Sequence, residues 1–227
     1  MKYEVLLFDA DETLFDFKKS EKEAFRSTIL QFHIAYEENK HFRIYHEIND
    51  AIWKEFEQGS ITQEELKVER FRRFKESMQL DFDEEEFAKA YMSNLADASF
   101  LYEGSKELIE ELHQSYRLCI VTNGLTSVQD KRIRKSEIAE HFESIVISEE
   151  ILIAKPNPGI FEYTLNQIHY SDKSKVLIIG DSLSSDIRGG INFGSDTCWY
   201  NPRKLRNETG IRPTYEVADF DGLRSLL

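Results

Sequence analysis

Two cysteines in 227 residues, Cys119 and Cys198, are too few for a disulfide framework. Both sit inside apolar runs (Leu118-Cys119-Ile120-Val121 and Thr197-Cys198-Trp199-Tyr200) and read as reduced core residues, not zinc ligands. The histidines His33, His41, His46, His113, His141 and His169 show no metal-ligand spacing either. Long apolar runs are missing: no stretch is long and apolar enough to span a bilayer. Glu4, Asp9 and Asp11 interrupt the N-terminal apolar stretch, which is not a signal-peptide pattern, so a cytoplasmic location is expected. Positive charge is also scarce. Against 42 acidic residues stand 29 basic ones, a net charge of −13, which disfavours binding to a nucleic-acid polymer or an anionic membrane as the main task. Any anionic ligand must then be held locally, by a metal or a few placed donors. The chain has no internal repeat and no low-complexity segment. Its 41% hydrophobic and 31% charged content is that of a folded globular protein with a substantial core.

What is present alternates between two textures. Short runs rich in Val, Ile and Leu occur at 4–8, 117–121, 144–147, 175–179 and 195–200, with helical patterns between them. This alternation predicts an α/β fold, a Rossmann-like parallel sheet with crossover helices. Residues 105–114 place Leu108, Ile109 and Leu112 on one helical face, with Ser105 expected as N-cap. Asn157-Pro158 predicts a second helix start, with a cap residue followed by proline at the first helical position.

Residues 16–100 differ, for they contain no strand pattern and read as four amphipathic helices. Phe25, Ile29 and Phe32 form one apolar stripe, Ile44, Ile48 and Ile52 a second, and Phe71, Phe74 and Met78 a third. Thr62-x-x-Glu65 and Asp83-x-x-Glu86 have the spacing of capping boxes, while Gly59-Ser60 and Gln79-Leu80-Asp81 break the helices. A crossover needs only about a dozen residues, so a far longer helical stretch between two strands predicts an inserted helical domain. The expected organisation is an α/β core from 1–15 and 101–227 and a smaller helical domain over 16–100, hanging as a lid over the residues that precede it.

The chemistry concentrates at strand ends. Val5-Leu6-Leu7-Phe8 runs straight into Asp9-Ala10-Asp11. Unpaired carboxylates at the tip of a buried strand are costly to desolvate, and a divalent cation is the simplest offset. Ligands also bind at the carboxyl ends of strands in open α/β sheets. Three further elements follow in order: Ile120-Val121-Thr122-Asn123-Gly124, Ala154-Lys155-Pro156-Asn157-Pro158 just before a helix, and Ile178-Ile179-Gly180-Asp181 with Asp186 five residues on. Taken singly, each has an ordinary reading. Asp9 or Asp11 suits a turn or a cap, Thr122-Asn123-Gly124 a turn, Lys155 a solvated surface, and Asp186 the start of a helix. Four such elements in order, each at a strand end or helix start, favour a site. The basic run Lys131, Arg132, Arg134 and Lys135 reads as a solvated helix face.

With these four elements the chain resembles the haloacid dehalogenase (HAD) superfamily of phosphohydrolases, whose signature motifs they match in order, and the helical insertion resembles that superfamily's cap. Within it, the Phe-Asp-Ala-Asp-Glu-Thr-Leu start and the cap length look most similar to pyrimidine 5′-nucleotidases. The resemblance implies a Mg²⁺-dependent phosphatase that hydrolyses a small phosphorylated metabolite, a nucleoside 5′-monophosphate among the candidates, through an aspartyl-phosphate intermediate. It implies Asp9 as nucleophile and Asp11 as the acid and base that protonates the leaving oxygen and activates water. Thr122, Asn123 and Lys155 would hold the phosphoryl oxygens. Asp9, the Asp11 carbonyl and Asp181 would bind Mg²⁺, with Asp186 behind them orienting water or Lys155. The alternatives are a phosphosugar mutase of the same fold and a catalytically idle HAD-like binding protein. Asp11 counts against a dehalogenase, which lacks the second carboxylate. The expected assembly is a monomer or homodimer.

Overall fold

The computed structural model describes residues 2–227. Strand β1 (Val5–Phe8) is followed by four long helices, α1 (Phe17–Gln31), α2 (Arg43–Glu57), α3 (Gln63–Met78) and α4 (Glu84–Asp97). Then come α5 (Ser105–Leu112), β2 (Arg117–Thr122), α6 (Thr126–Arg132), β3 (Ser144–Ile147), α7 (Ser148–Ile151), α8 (Gly159–Gln167) and β4 (Val176–Gly180). The chain closes with α9 (Arg188–Phe193), β5 (Asp196–Tyr200), β6 (Tyr215–Val217) and α10 (Phe220–Leu226). Residues Lys18–Ala98 form one compact unit, and the segments on either side of them form the other.

The larger unit is the expected α/β fold: a six-stranded, all-parallel sheet in the order β3-β2-β1-β4-β5-β6. β1 lies between β2 and β4, with Leu7 opposite both Cys119 and Ile178, so it is covered on both faces and its four residues are all apolar and buried. Side-chain alternation divides the core in two. Leu6, Phe8, Leu118, Ile120, Leu177 and Ile179 pack with Leu108, Ile109 and Leu112 of α5 and Phe220 and Leu223 of α10. Val5, Leu7, Cys119, Val121, Val176 and Ile178 pack with Ile160, Phe161 and Leu165 of α8 and Phe193 of α9. Each such burial contributes about 1.5–3 kcal/mol. Cys119 and Cys198 are buried free thiols.

Three local expectations shift. Ser105 is not a cap: Gly104, at φ 83°, takes that position, and the buried Ser105 hydroxyl donates to the Leu14 carbonyl at 2.8 Å. Only glycine adopts that left-handed backbone freely. In α8, Pro158 sits at the cap and Gly159 leads the helix, its N–H donating to Asn157 Oδ1 at 2.9 Å. β6 has no counterpart among the predicted strands; three half-exposed edge residues carry too little apolar pattern to read.

The smaller unit is helical. Thr62 and Glu65 close the expected capping box at the start of α3, and Asp83 caps α4 through the N–H groups of Glu85 and Glu86. Its core is aromatic: the Phe25 ring stacks on Tyr45 at 4.3 Å, Tyr45 on Phe71 at 5.7 Å, and Phe82 on Phe87 at 4.4 Å. The buried face of α2 is therefore Tyr45, Asn49 and Ile52, displaced from the Ile44–Ile48–Ile52 stripe that apolar spacing alone suggests; Ile44 and Ile48 are only half-buried. Asn49 is buried because it belongs to a polar chain. Its amide donates to the buried Glu21 carboxylate at 2.8 Å, and its oxygen accepts from Arg70 at 2.9 Å. His46 completes the chain at 2.9 Å from the other Glu21 oxygen. Among the described residues no helix is long and apolar enough to cross a membrane.

His46 gives this unit a pH signature. Its hydrogen bond to Glu21 raises its pKa above the ordinary histidine value. A raised folded-state pKa stabilises most below the unfolded value and loses its contribution as pH rises through the folded one. The melting temperature of wild type should thus exceed that of His46→Gln by more at pH 5.5 than at pH 9, as measured by circular dichroism. An equal gap at both pH values would remove His46 from this role.

Candidate active site

Every side chain singled out at the strand ends lies in the α/β unit. The parallel register makes this inevitable: Phe8 pairs with Ile120 on one side and Ile179 on the other, so the residues that follow emerge along one edge of the sheet. Asp9 follows β1, and its N–H donates to the Ile179 carbonyl at 2.8 Å. Thr122 ends β2 and is buried, Gly180 ends β4, and Asp181 follows it.

Lys155 is the centre. Its side chain is 2% exposed, and its ammonium donates to Asp9 Oδ1 at 2.5 Å, Asp186 Oδ1 at 2.7 Å and the Val121 carbonyl at 2.8 Å. Three donors meet three acceptors, which is what a buried ammonium requires. Burial works against its charge, but Asp186 and Asp9 outweigh that and hold its pKa above the ordinary lysine value. The loop that carries it is bracketed by Asn123, whose amide donates to the Lys155 carbonyl at 2.9 Å and accepts from the Lys155 N–H at 2.8 Å. The Asn123 side chain thus holds the lysine in place. The peptide bond from Lys155 to Pro156 is cis.

Asp186, 1% exposed, has both oxygens engaged: Oδ1 with Lys155, and Oδ2 with the Ser182 N–H at 2.9 Å. It fits because residue 180 is glycine; a Cβ there would lie 2.3 Å from the Asp186 carboxylate. Asp9, Asp181 and Asp186 each offer a carboxylate oxygen within 4.8 Å of the others, a group able to hold a metal ion. Asp9 is engaged too, its Oδ1 by Lys155 and its Oδ2 by the Thr13 hydroxyl at 3.4 Å. When all ionise, three carboxylates face one ammonium. Accordingly burial, with Asp186 and Asp11 nearby, pushes Asp9 up to about 7 despite Lys155. Burial, with Asp186, Asp9 and Glu12 nearby, pushes Asp181 up to about 8. A divalent cation would neutralise the excess and restore both carboxylates.

The turn after Asp9 is tight. The Leu14 and Phe15 N–H groups both donate to the Ala10 carbonyl at 2.9 Å, and Glu12 adopts φ 63°, a conformation uncommon for a residue with a Cβ. Glu12 and Asp181 line a cavity of about 40 Å³ with Tyr102, Tyr200, Asn201 and Arg203. That is room for a few waters.

Asp11 is where sequence reasoning missed most. Its Oδ2 accepts from Gln129 Nε2 at 2.7 Å and its Oδ1 from Arg132 Nη1 at 2.9 Å. Arg132 was expected on a solvated face, yet its side chain is fully buried, lying over the rings of Phe15 and Phe17 at 5.9 and 5.1 Å. The rest of the run is surface: Lys131 and Lys135 are exposed, and Arg134 pairs with Glu150 and Asp130. A signal existed. Gln129 and Arg132 are three apart on a helix that opens four residues after Thr122, so they share a face.

A sequence-family model described as haloacid dehalogenase-like hydrolase matches residues 3–194. The chain is 33% identical over 227 residues to the pyrimidine 5′-nucleotidase YjjG of Escherichia coli, covering 100% of this chain and 99% of that one. It is 36% identical over 228 residues to the pyrimidine 5′-nucleotidase PynA of Streptococcus pneumoniae, covering 100% of this chain and 96% of the other. The solved structure of the HAD-hydrolase YfnB of Bacillus subtilis, bound to magnesium, superposes with a TM-score of 0.94 at 35% identity, covering 100% of this chain and 99% of that one. On the match of family, sheet and strand-end residues together, this protein belongs to the haloacid dehalogenase-like hydrolases.

Proposed function

We propose that this hydrolase is a Mg²⁺-dependent phosphatase of small phosphomonoesters, with nucleoside 5′-monophosphates as the substrate class, working through an aspartyl-phosphate intermediate in the cytoplasm. The observation that carries the reading is the buried Lys155 ammonium held between Asp9 and Asp186 at the edge of a three-carboxylate cluster. Phosphoryl transfer needs a nucleophile, an acid for the leaving oxygen and positive charge for the phosphoryl oxygens, all prepositioned. The names of two full-length relatives, both pyrimidine 5′-nucleotidases, support the substrate class.

In this reading an Asp9 oxygen attacks phosphorus and the bond to the leaving oxygen breaks. Asp11, two residues on, gives that oxygen a proton, then takes one from the water that cleaves the aspartyl phosphate. Lys155, the Thr122 hydroxyl and Asn123 hold the phosphoryl oxygens; because the Asn123 side chain brackets Lys155, its direct share falls to its backbone N–H. The donor set fits Mg²⁺: hard carboxylate oxygens from Asp9 and Asp181, with the Asp11 carbonyl as third protein ligand and space for water beside Asp181. When bound, the ion supplies charge neutralisation and Lewis acidity. Asp186 holds Lys155 toward Asp9 and fixes the turn at Ser182.

Asp9→Asn should abolish hydrolysis of 4-nitrophenyl phosphate in Mg²⁺ while keeping the circular dichroism spectrum of the folded chain; near wild-type rates would overturn the nucleophile assignment. Chelation of the wild type should remove activity and added Mg²⁺ restore it, and full turnover in chelator would count against the metal. Lys155→Ala should cost ~10²-fold or more in turnover and destabilise the fold by roughly 3–5 kcal/mol, because Asp9 and Asp186 lose their buried partner. In a screen of phosphorylated metabolites, pyrimidine nucleoside monophosphates should be cleaved with higher kcat/KM than phosphosugars or phosphoglycolate. The reverse ranking would replace the substrate class.

A further inference from the structure

The buried pair Gln129 and Arg132 is not used by the phosphate or metal chemistry, yet both contact Asp11. Gln129 is 3% exposed and Arg132 is wholly buried. They are also bonded to each other, Arg132 Nη1 donating to Gln129 Oε1 at 2.9 Å. One guanidinium nitrogen therefore bridges the Asp11 carboxylate and the amide that holds the other Asp11 oxygen. Two donors on two different oxygens fix the plane of a carboxylate, where a single contact would let it swing about its Cβ–Cγ bond.

Three further observations show that space and support are built around this pair. A Cβ on Gly124 would lie 2.7 Å from Gln129 Cγ and 2.8 Å from its Nε2, and Gly124 has no left-handed backbone requirement, so this glycine makes room for the glutamine. The guanidinium rests over Phe15 and Phe17. The Arg132 carbonyl accepts from the Ser99 hydroxyl at 2.7 Å, tying the end of α6 to the segment just before α5.

We propose that Gln129 and Arg132 are positioning residues for Asp11, orienting its carboxylate for proton transfer without touching the phosphoryl group. This rests on the phosphatase reading above, with Asp11 as its proton carrier. Removal should then slow the chemical step and leave substrate binding intact, and it should matter only while residue 11 is a carboxylate.

The test uses the full chain in Mg²⁺ with uridine 5′-monophosphate, whose alkoxide leaving group needs the proton that Asp11 supplies. Gln129→Met, linear and of similar length, should lower kcat about 10-fold with KM within about twofold of wild type. Arg132→Lys, which keeps a donor, should retain more of kcat than Arg132→Met, each checked for folding by circular dichroism. In the Asp11→Asn background, Gln129→Met should change residual kcat by less than about twofold, since residues acting as one unit are not additive. A full, multiplicative loss in that background, or an effect confined to KM, would overturn the positioning role while the phosphatase reading stands. A wild type inert toward the phosphate would overturn the reading and this role together.

Discussion

Lys155 is the constraint on which the rest of this site depends. Its ammonium takes one acceptor from β2 (the Val121 carbonyl), one from the end of β1 (Asp9) and one from beyond β4 (Asp186). A lysine desolvated to this degree persists only if each N–H is met and its charge is balanced, so the three strands must end where they do. The neighbouring residues serve that requirement. Asn123 clasps the lysine's backbone, and glycine at 180 gives Asp186 the volume to reach in.

The same lysine does not balance everything around it. Asp9, Asp181 and Asp186 crowd a space that one ammonium neutralises incompletely, and burial together with this surplus raises the pKa values of Asp9 and Asp181. The protein thus carries a local excess of negative charge at a place where its fold points backbone and carboxylates at one another. On a chain with a net charge of −13, an anionic ligand needs such a locally arranged reversal, with cation and lysine together, because no long-range attraction exists.

The polar interior recurs in the helical unit on a different plan. Glu21, Asn49 and Arg70 form a buried chain among stacked aromatics, with half-buried His46 at its end, and it displaces the buried face of α2 from the one apolar spacing suggests. In both units, buried polar groups are the positions at which hydrophobic pattern alone misleads. Asn49 and Arg132 are long or polar side chains that pattern assigns to water, and each is buried because a specific partner awaits it.

Much of the fold was legible before any coordinates. Five strands show as apolar runs because a parallel sheet covered on both faces leaves no polar alternation, and the strand-end elements stand out because polar residues there interrupt such runs. The sequence by itself determined the sheet and the helical insertion, since local composition and period encode these, and it set Asp9, Thr122, Lys155 and Asp181 apart as polar residues at the ends of apolar runs. Only the tertiary structure decided the rest: that β6 joins the edge, that Ser105 bonds across to Leu14 instead of capping, and that Gly124 and Gly180 exist for neighbours' side chains. It also decided that Arg132 turns inward to Asp11, 121 positions away. The reason is physical. Pairing between residues so far apart depends on which groups the sheet order brings together, and no window of sequence contains both partners.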